Sequence, residues 1–218
     1  MKKAVFLTFL LIFLSFPGFA QSYIAVGPQL GATTSSGFPG GSQTQAGGFV
    51  QGQYSFRVAS LEFGMGGSMS VTNQPRFFDD GDGAVFEAEP IARMYVPVSN
   101  SLSFYFDGGA NMQRVSDVTV INPVAGLGIR HMAKTAGGEL DRTIQVGFKC
   151  LFDDVNNDGN PATKVWRGFR FEGQVYKKLT PTLGFLVGGK VDRQSNAVLF
   201  LQPRTQATVN VGLAFGPR

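Results

Sequence analysis

Hydrophobic and polar residues alternate with a period of two through most of this chain. The segment from Ser101 to Gln113 shows the pattern clearly, because Phe104 and Phe106 share one parity while Tyr105 and Asp107 take the other. Side chains of a β-strand point alternately to its two faces, so this segment is predicted to be a strand with one apolar face. Similar segments predict about ten strands, with eight as the alternative, and they run approximately over 23–33, 46–56, 61–71, 86–96, 101–113, 122–130, 143–152, 169–175, 183–192 and 206–215.

All but one of the predicted segments are long enough to cross a lipid bilayer. A tilted membrane strand needs about 9 to 11 residues, whereas strands of soluble sheets more often have about five or six. The apolar parity carries almost no charge, while the polar parity mixes charged residues with glycines such as Gly64, Gly126 and Gly188. This combination is typical of a membrane barrel with a narrow lumen. We therefore predict an all-β fold, a single closed, up-and-down, antiparallel transmembrane β-barrel.

Alternation alone does not state which face points inward. A soluble, exported barrel that binds a ligand in an apolar lumen is therefore an alternative to the membrane barrel. The two predict opposite surfaces, because the soluble barrel needs polar residues outside and the membrane barrel needs apolar residues outside.

The N-terminus has the pattern of a secretory signal peptide. Lys2 and Lys3 precede an apolar run over 4–16, and Gly18 and Ala20 supply the small residues expected before a cleavage site. We predict a cleavable signal over 1–20 and a barrel domain over 21–218.

Composition restricts the possible partners. Removal of Lys2 and Lys3 with the signal would lower the formal net charge from +4 to +2, which gives no basis for nucleic-acid binding. Charged residues make up 16% of the chain, below the roughly 25% of soluble domains. Cys150, the single cysteine, shares the parity of Phe148 and is predicted to face lipid. The expected partner is outer-membrane lipid, and a monomer is expected.

Three prolines lie inside predicted strands, at Pro28, Pro90 and Pro123. Proline cannot donate to a strand ladder, and a closed barrel has no edge at which the missing donor is harmless. Each proline is therefore predicted to mark a β-bulge.

The alternating strands behind an export signal resemble the small bacterial outer-membrane β-barrel family, of which the OmpA-like transmembrane domain is the familiar example. The resemblance covers about 23–215 and includes a terminal aromatic pattern, Val209, Val211, Leu213 and Phe215, like the signal read by the barrel-assembly machinery. It implies the cell outer membrane as location, with short turns in the periplasm. It also implies that longer loops near Thr34, Asn73, Val115, Asp153 and Ser195 lie outside the cell.

The polar parity gathers charges of both signs. Unpaired charges in a narrow, partly dry lumen are unfavourable, so near-balance favours a paired network that fills the barrel. Ion-selective pores use rings of side chains with charges of a single sign, and the polar parity does not show such a ring. Six acidic and five basic residues are predicted to form this luminal network: Glu62, Glu87, Glu89, Asp107, Glu172 and Asp192 with Arg93, Arg130, Lys149, Arg170 and Lys190.

Asp154, Asn156, Asp158 and Gly159 match the first half of a calcium-binding loop, in which oxygen ligands recur at alternate positions. The twelfth position is Val165 rather than the expected glutamate, so other ligands would be needed. Calcium binding by Asp154, Asn156 and Asp158 is therefore a hypothesis, and the alternative is that these residues simply form a turn. No other cofactor is expected.

Catalytic signals are few. His131 is the single histidine and has no serine or acidic residue beside it in sequence, so we expect no enzyme. The predicted function is a structural or surface-interaction scaffold with a plugged lumen, which meets extracellular ligands through its loops. The alternative is a narrow, porin-like diffusion channel for small solutes.

Overall fold

The computed structural model describes residues 19–35, 42–73, 84–115, 118–152, 166–194 and 204–216. No helix in this part of the chain is long and apolar enough to cross a membrane. The described residues form ten strands: β1 (Phe19–Ser35), β2 (Ser42–Val58), β3 (Leu61–Asn73), β4 (Ala84–Pro97), β5 (Leu102–Val115), β6 (Val118–Lys134), β7 (Leu140–Phe152), β8 (Trp166–Lys178), β9 (Leu183–Gln194) and β10 (Arg204–Phe215).

The ten strands close into one antiparallel barrel. Each strand pairs with its neighbours in the chain, and β1 pairs with β10 from Ile24 opposite Phe215 to Ser35 opposite Arg204. The predicted fold is confirmed, with ten strands rather than eight. The strands have 12 to 17 residues and therefore extend beyond the predicted segments.

The apolar parity faces outward on the barrel. Phe104, Phe106 and Leu127 are each at least half exposed, whereas Glu62 and Arg130 on the other parity are fully buried. The exterior is therefore apolar and the interior polar. This is the reverse of the arrangement that a soluble ligand carrier requires.

Short connections gather at one end of the barrel, here called the turn end, together with the start of β1 and the end of β10. The connections at 59–60, 98–101, 135–139 and 179–182 all lie there. Ala59 and Gly138 occupy the left-handed region at φ 55° and 81°, which allows the chain to reverse in few residues. At the opposite end, here called the loop end, β1, β3, β7 and β9 end next to positions where longer loops are predicted.

The connection near Val115 is not a long loop, and that prediction is wrong. β5 ends at Val115 and β6 begins at Val118, so only residues 116 and 117 separate the strands. The physical reason is that Val118 and Val120 extend the alternating β-branched pattern of β6 toward the loop end.

The three prolines do not cause bulges, so this prediction is also wrong. Pro28, Pro90 and Pro123 each keep an in-register partner on one neighbouring strand. On the other side, Pro28 has no registered partner on β10 and Pro90 has none on β5. The ladder between β6 and β7 begins only at Val124, after Pro123. Because N–H and C=O of one antiparallel residue point to the same neighbour, a proline interrupts only one ladder.

The predicted signal peptide lies almost entirely outside the described residues, which begin at Phe19. β1 starts two residues before Gln21, the predicted first residue of the mature chain. Cleavage there would leave nearly all of β1 in place, and it stays a prediction.

Candidate functional site

The eleven predicted luminal charges all lie on the inner face of the barrel, and they come from β3 to β9. Eight of them are buried, while the side chains of Arg93, Glu172 and Lys190 retain 13%, 20% and 18% exposure. The inner faces of β1 and β2 instead carry neutral polar side chains such as Gln29 and Gln53. The lumen therefore has a charged wall and a neutral wall.

Arg170 on β8 organises the half of the network nearer the loop end. Its guanidinium binds both carboxylate oxygens of Asp192, with Nη2 to Oδ2 at 2.9 Å, and its Nη1 donates to Glu89 on β4, almost opposite in the barrel. Lys190 pairs with Glu87. Asn111 donates to the same two glutamates, to Glu87 at 2.6 Å and to Glu89 at 3.2 Å.

Lys149 joins this group to a second one. Its Nζ lies 2.8 Å from Glu89 Oε1 and 2.7 Å from Glu172 Oε2. Arg93 contacts Glu172 at 3.1 Å and Asp107 at 3.2 Å, and its guanidinium lies over the ring of Tyr105. Nine of the eleven predicted charges thus form one connected network.

Glu62 and Arg130 form a separate pair nearer the turn end. Two parallel hydrogen bonds of 2.6 and 2.7 Å join the guanidinium to the carboxylate, and both residues are fully buried. The guanidinium carbon lies 3.7 Å from the centre of the Tyr95 ring. This bidentate geometry compensates two charges that would otherwise be unfavourable in the interior.

A layer of amides and tyrosines crosses the lumen beside the network. Gln51 on β2 donates to Gln174 on β8 at 2.7 Å, and Gln174 donates to Gln145 at 3.0 Å. Neutral glutamines on the polar parity give no sequence signal for pairing, so these contacts were not predicted. We call the set the amide–tyrosine layer: Tyr23, Gln51, Gln53, Tyr95, Gln145 and Gln174.

An apolar cluster also fills part of the lumen. Tyr23 and Tyr176 stack with ring centres 5.2 Å apart, and Leu186 and Ala214 are fully buried beside them. Phe49 belongs to the same cluster. Period-two alternation assigns a face but does not show that apolar residues on the polar parity meet, so the cluster was not predicted.

Arg204 is a buried inward charge that the sequence analysis missed. Its Nη2 donates to Gln113 Oε1 at 2.9 Å, and this contact joins β10 to β5 across the full width of the barrel. The predicted last strand began at residue 206, so Arg204, the first inward residue of β10, lay outside the predicted strand. Arg204 shares the parity of Gln206, which was the available signal.

A cavity of about 110 Å³ lies in the lumen between the two walls. Its lining includes Gln29, Ser70, Glu89, Lys190 and Thr208. The volume is sufficient for several waters, since about 10 to 15 Å³ suffices for one. Gln53 Oε1 is buried at this cavity without a hydrogen-bond partner among the described residues, and a water there would satisfy it.

Three further candidates come from the sequence, namely the calcium loop, His131 and Cys150. Asp154, Asn156 and Asp158 fall outside the described residues, so the calcium hypothesis stays a prediction. Among the residues that are described, no cluster of three or more potential metal ligands occurs. His131 is exposed near the turn end, and Cys150 takes the outward parity as predicted.

Comparison with known proteins gives similarity in fold only. No family model matches the chain. No curated protein sequence matches it either. Similar solved structures include Neisserial surface protein A, at 11% identity over 91% of this chain and 99% of that chain, with a TM-score of 0.43. The NanC porin has 11% identity over 88% and 98%, with a TM-score of 0.40. The outer membrane protease OmpT from Escherichia coli has 9% identity over 93% and 99%, with a TM-score of 0.47.

These similarities are too low to transfer an activity to the chain. A surface protein, a porin and a protease are among the similar structures, and nothing in the comparison selects one of them. Membership of the OmpA-like group in particular stays a prediction.

Proposed function

We propose that the protein is an integral β-barrel of the cell outer membrane, which acts as a structural or surface-interaction scaffold with a closed lumen. The exposed apolar exterior supports the membrane location. Val26 on β1, Val146 on β7 and Val209 on β10 are each between 42% and 54% exposed. Such an apolar band with a polar interior is what a lipid-embedded barrel requires.

The observation that carries the closed lumen is the set of contacts between opposite walls. Arg204 reaches Gln113, Arg170 reaches Glu89, and Gln51 reaches Gln174, each across most of the barrel. A barrel of eight strands is already roughly filled by its side chains, and wide channels appear only near 16 strands. Ten strands with three cross-lumen bridges support a lumen that is largely filled by side chains.

This architecture supports contacts with lipid along the barrel and with extracellular ligands at the loop end. In outer-membrane barrels the short turns face the periplasm and the longer loops face outward. The terminal alternation ending at Phe215 supports delivery by the barrel-assembly machinery, and the barrel is expected to act as a monomer. We propose a role without catalysis or a cofactor, because His131 lies outside the buried network.

Fractionation tests the membrane location. The mature protein is expected in the outer-membrane fraction, to need detergent for extraction, and to migrate differently on a gel before and after heating. Recovery in the periplasmic or extracellular soluble fraction would contradict the membrane barrel and favour the soluble carrier.

The narrow diffusion channel is the second candidate, and the luminal cavity favours it. Planar-bilayer recordings distinguish the two functions, with wild type compared with a Glu87→Gln/Glu89→Gln variant. The closed scaffold predicts little conductance in wild type and an increase when the carboxylates that hold Arg170 and Lys190 are neutralised. Large conductance in wild type that is unchanged in the variant would refute the plugged lumen.

A further inference from the structure

Charged residues at the turn end are concentrated on one side of the barrel. In the described turns, the β2–β3 connection is flanked by Arg57, and the β4–β5 and β8–β9 turns carry no charged residue. The sector formed by β6, β7 and β8 instead carries four basic and two acidic residues: Lys134, Arg142, Lys177 and Lys178 with Glu139 and Asp141.

Arg142 on β7 and Lys177 on β8 stand directly opposite each other on the outer face. Both are exposed, and both share the parity of the outward residues Val146 and Val175. We call them the rim pair. Directly opposed residues of an antiparallel ladder have Cβ atoms only about 4.5 to 5.5 Å apart, and like charges in this position are destabilising.

Only one described acidic side chain compensates the rim pair. Asp141 Oδ1 lies 2.5 Å from Lys177 Nζ, with both side chains partly exposed. Arg142 makes no ion pair with any described residue, and its partner on the other side is Ala133, which is small. Two cations and one carboxylate therefore leave a net charge of +1, and no described residue forms an ion pair with the guanidinium of Arg142.

Apolar residues continue directly from the rim pair into the exposed outer band. Ile144 and Val175 form the next outward row toward the barrel centre, and Phe185 stands opposite Lys177 on β9. A ligand here would place its charge against the rim pair and its hydrocarbon against this row. A free inorganic anion has no hydrocarbon and would not contact the apolar row.

From this arrangement we infer that the rim pair binds the phosphate of an anionic phospholipid, in the leaflet at the turn end of the barrel. The guanidinium of Arg142 supplies a planar fork that matches two phosphate oxygens, and Lys177 adds a second positive charge. The inference rests on the proposed membrane function. It adds a preferred lipid and a defined position for it.

Native mass spectrometry of the full mature protein tests the inference. The protein is released from detergent micelles that contain phosphatidylglycerol or phosphatidylcholine with identical acyl chains. Wild type is expected to retain phosphatidylglycerol preferentially. Arg142→Gln should lower this preference about fivefold, as expected for the loss of one basic residue near a membrane phosphate.

Two further variants make the test specific. Arg57→Gln removes an exposed cation at the same end of the barrel, outside the sector, and should leave the lipid preference unchanged. Asp141→Asn removes the carboxylate that competes for Lys177 and should increase the preference, again about fivefold. An increase of this kind is not expected if the sector merely provides surface charge or structural support.

Several outcomes would overturn the inference. These are unchanged retention in Arg142→Gln, equal loss in Arg57→Gln, or equal displacement of the lipid by equimolar glycerol 3-phosphate, which would show a site for soluble anions. Each variant is first checked for heat-modifiable gel migration. A folded barrel without lipid preference overturns the rim pair alone, whereas a protein recovered from the soluble fraction overturns the proposed function.

Discussion

The buried pair of Glu62 and Arg130 gives a quantitative test of how the lumen is stabilised. Replacement of either residue alone, by Glu62→Leu or Arg130→Met, leaves a fully buried charge without its partner. Removing one member of a buried ion pair generally destabilises a protein by about 3 to 5 kcal/mol. The two hydrogen bonds of 2.6 and 2.7 Å and the complete burial place this pair in that class.

The double variant Glu62→Leu/Arg130→Met should behave differently from the sum of the single variants. It removes both charges together, and well-packed apolar replacements of a buried pair are often neutral in stability. The expected coupling energy is therefore at the upper end of measured values, about 3 kcal/mol. Tyr95, which lies against Arg130, would then pack on the methionine side chain.

Urea titration of the barrel in lipid vesicles, read from the migration of unheated samples on a gel, measures these free energies of unfolding. Lys178→Met provides the control, because its ion pair with Glu139 is exposed at the turn end. Exposed pairs contribute about 0 to 1 kcal/mol, so this control should shift stability little. The reasoning is refuted if the single luminal variants shift as little as the control, or if the double variant is as unstable as their sum.

Two other predictions concern packing and metal binding. Gly147→Val should strongly reduce the yield of heat-modifiable barrel, because a Cβ at this position would come within 2.2 Å of Tyr105 Oη, whereas Gly108→Ala should fold normally, since its nearest contact is 3.8 Å. Calorimetry at millimolar calcium tests the calcium hypothesis: a calcium site requires a binding heat for wild type and none for Asp154→Asn, and the absence of heat from wild type would remove the hypothesis.

The period of the sequence was sufficient to predict which face each luminal charge occupies. Period-two alternation depends only on the backbone, so it placed Glu89 on β4 and Arg170 on β8 inside the barrel before their neighbours were known. It was not sufficient to show that these two side chains meet. Their contact crosses the lumen, and its existence depends on the closure and width of the whole barrel.

The bounds of the strands and the effects of the prolines were less predictable than the face that each residue occupies. Arg204 and the β5–β6 connection were misjudged because the predicted strands ended too early, where alternation became weaker near the loop end. Pro90 was expected to mark a β-bulge, but it stands in register opposite Gly67 and interrupts only the ladder with β5. The cost of a proline depends on its neighbours across the ladder, which a single strand sequence does not show.

The separation of the charged and neutral walls has a consequence for assembly. The strands that close the barrel, β1 and β10, carry none of the eleven predicted network charges, and the connected network lies within β4 to β9. A partly assembled sheet can therefore curl, lose water from its charges and pair them while its two edge strands are still apart. Apart from Arg204 on β10, the final seam joins neutral inner faces, and its closure does not require any of these ion pairs to separate.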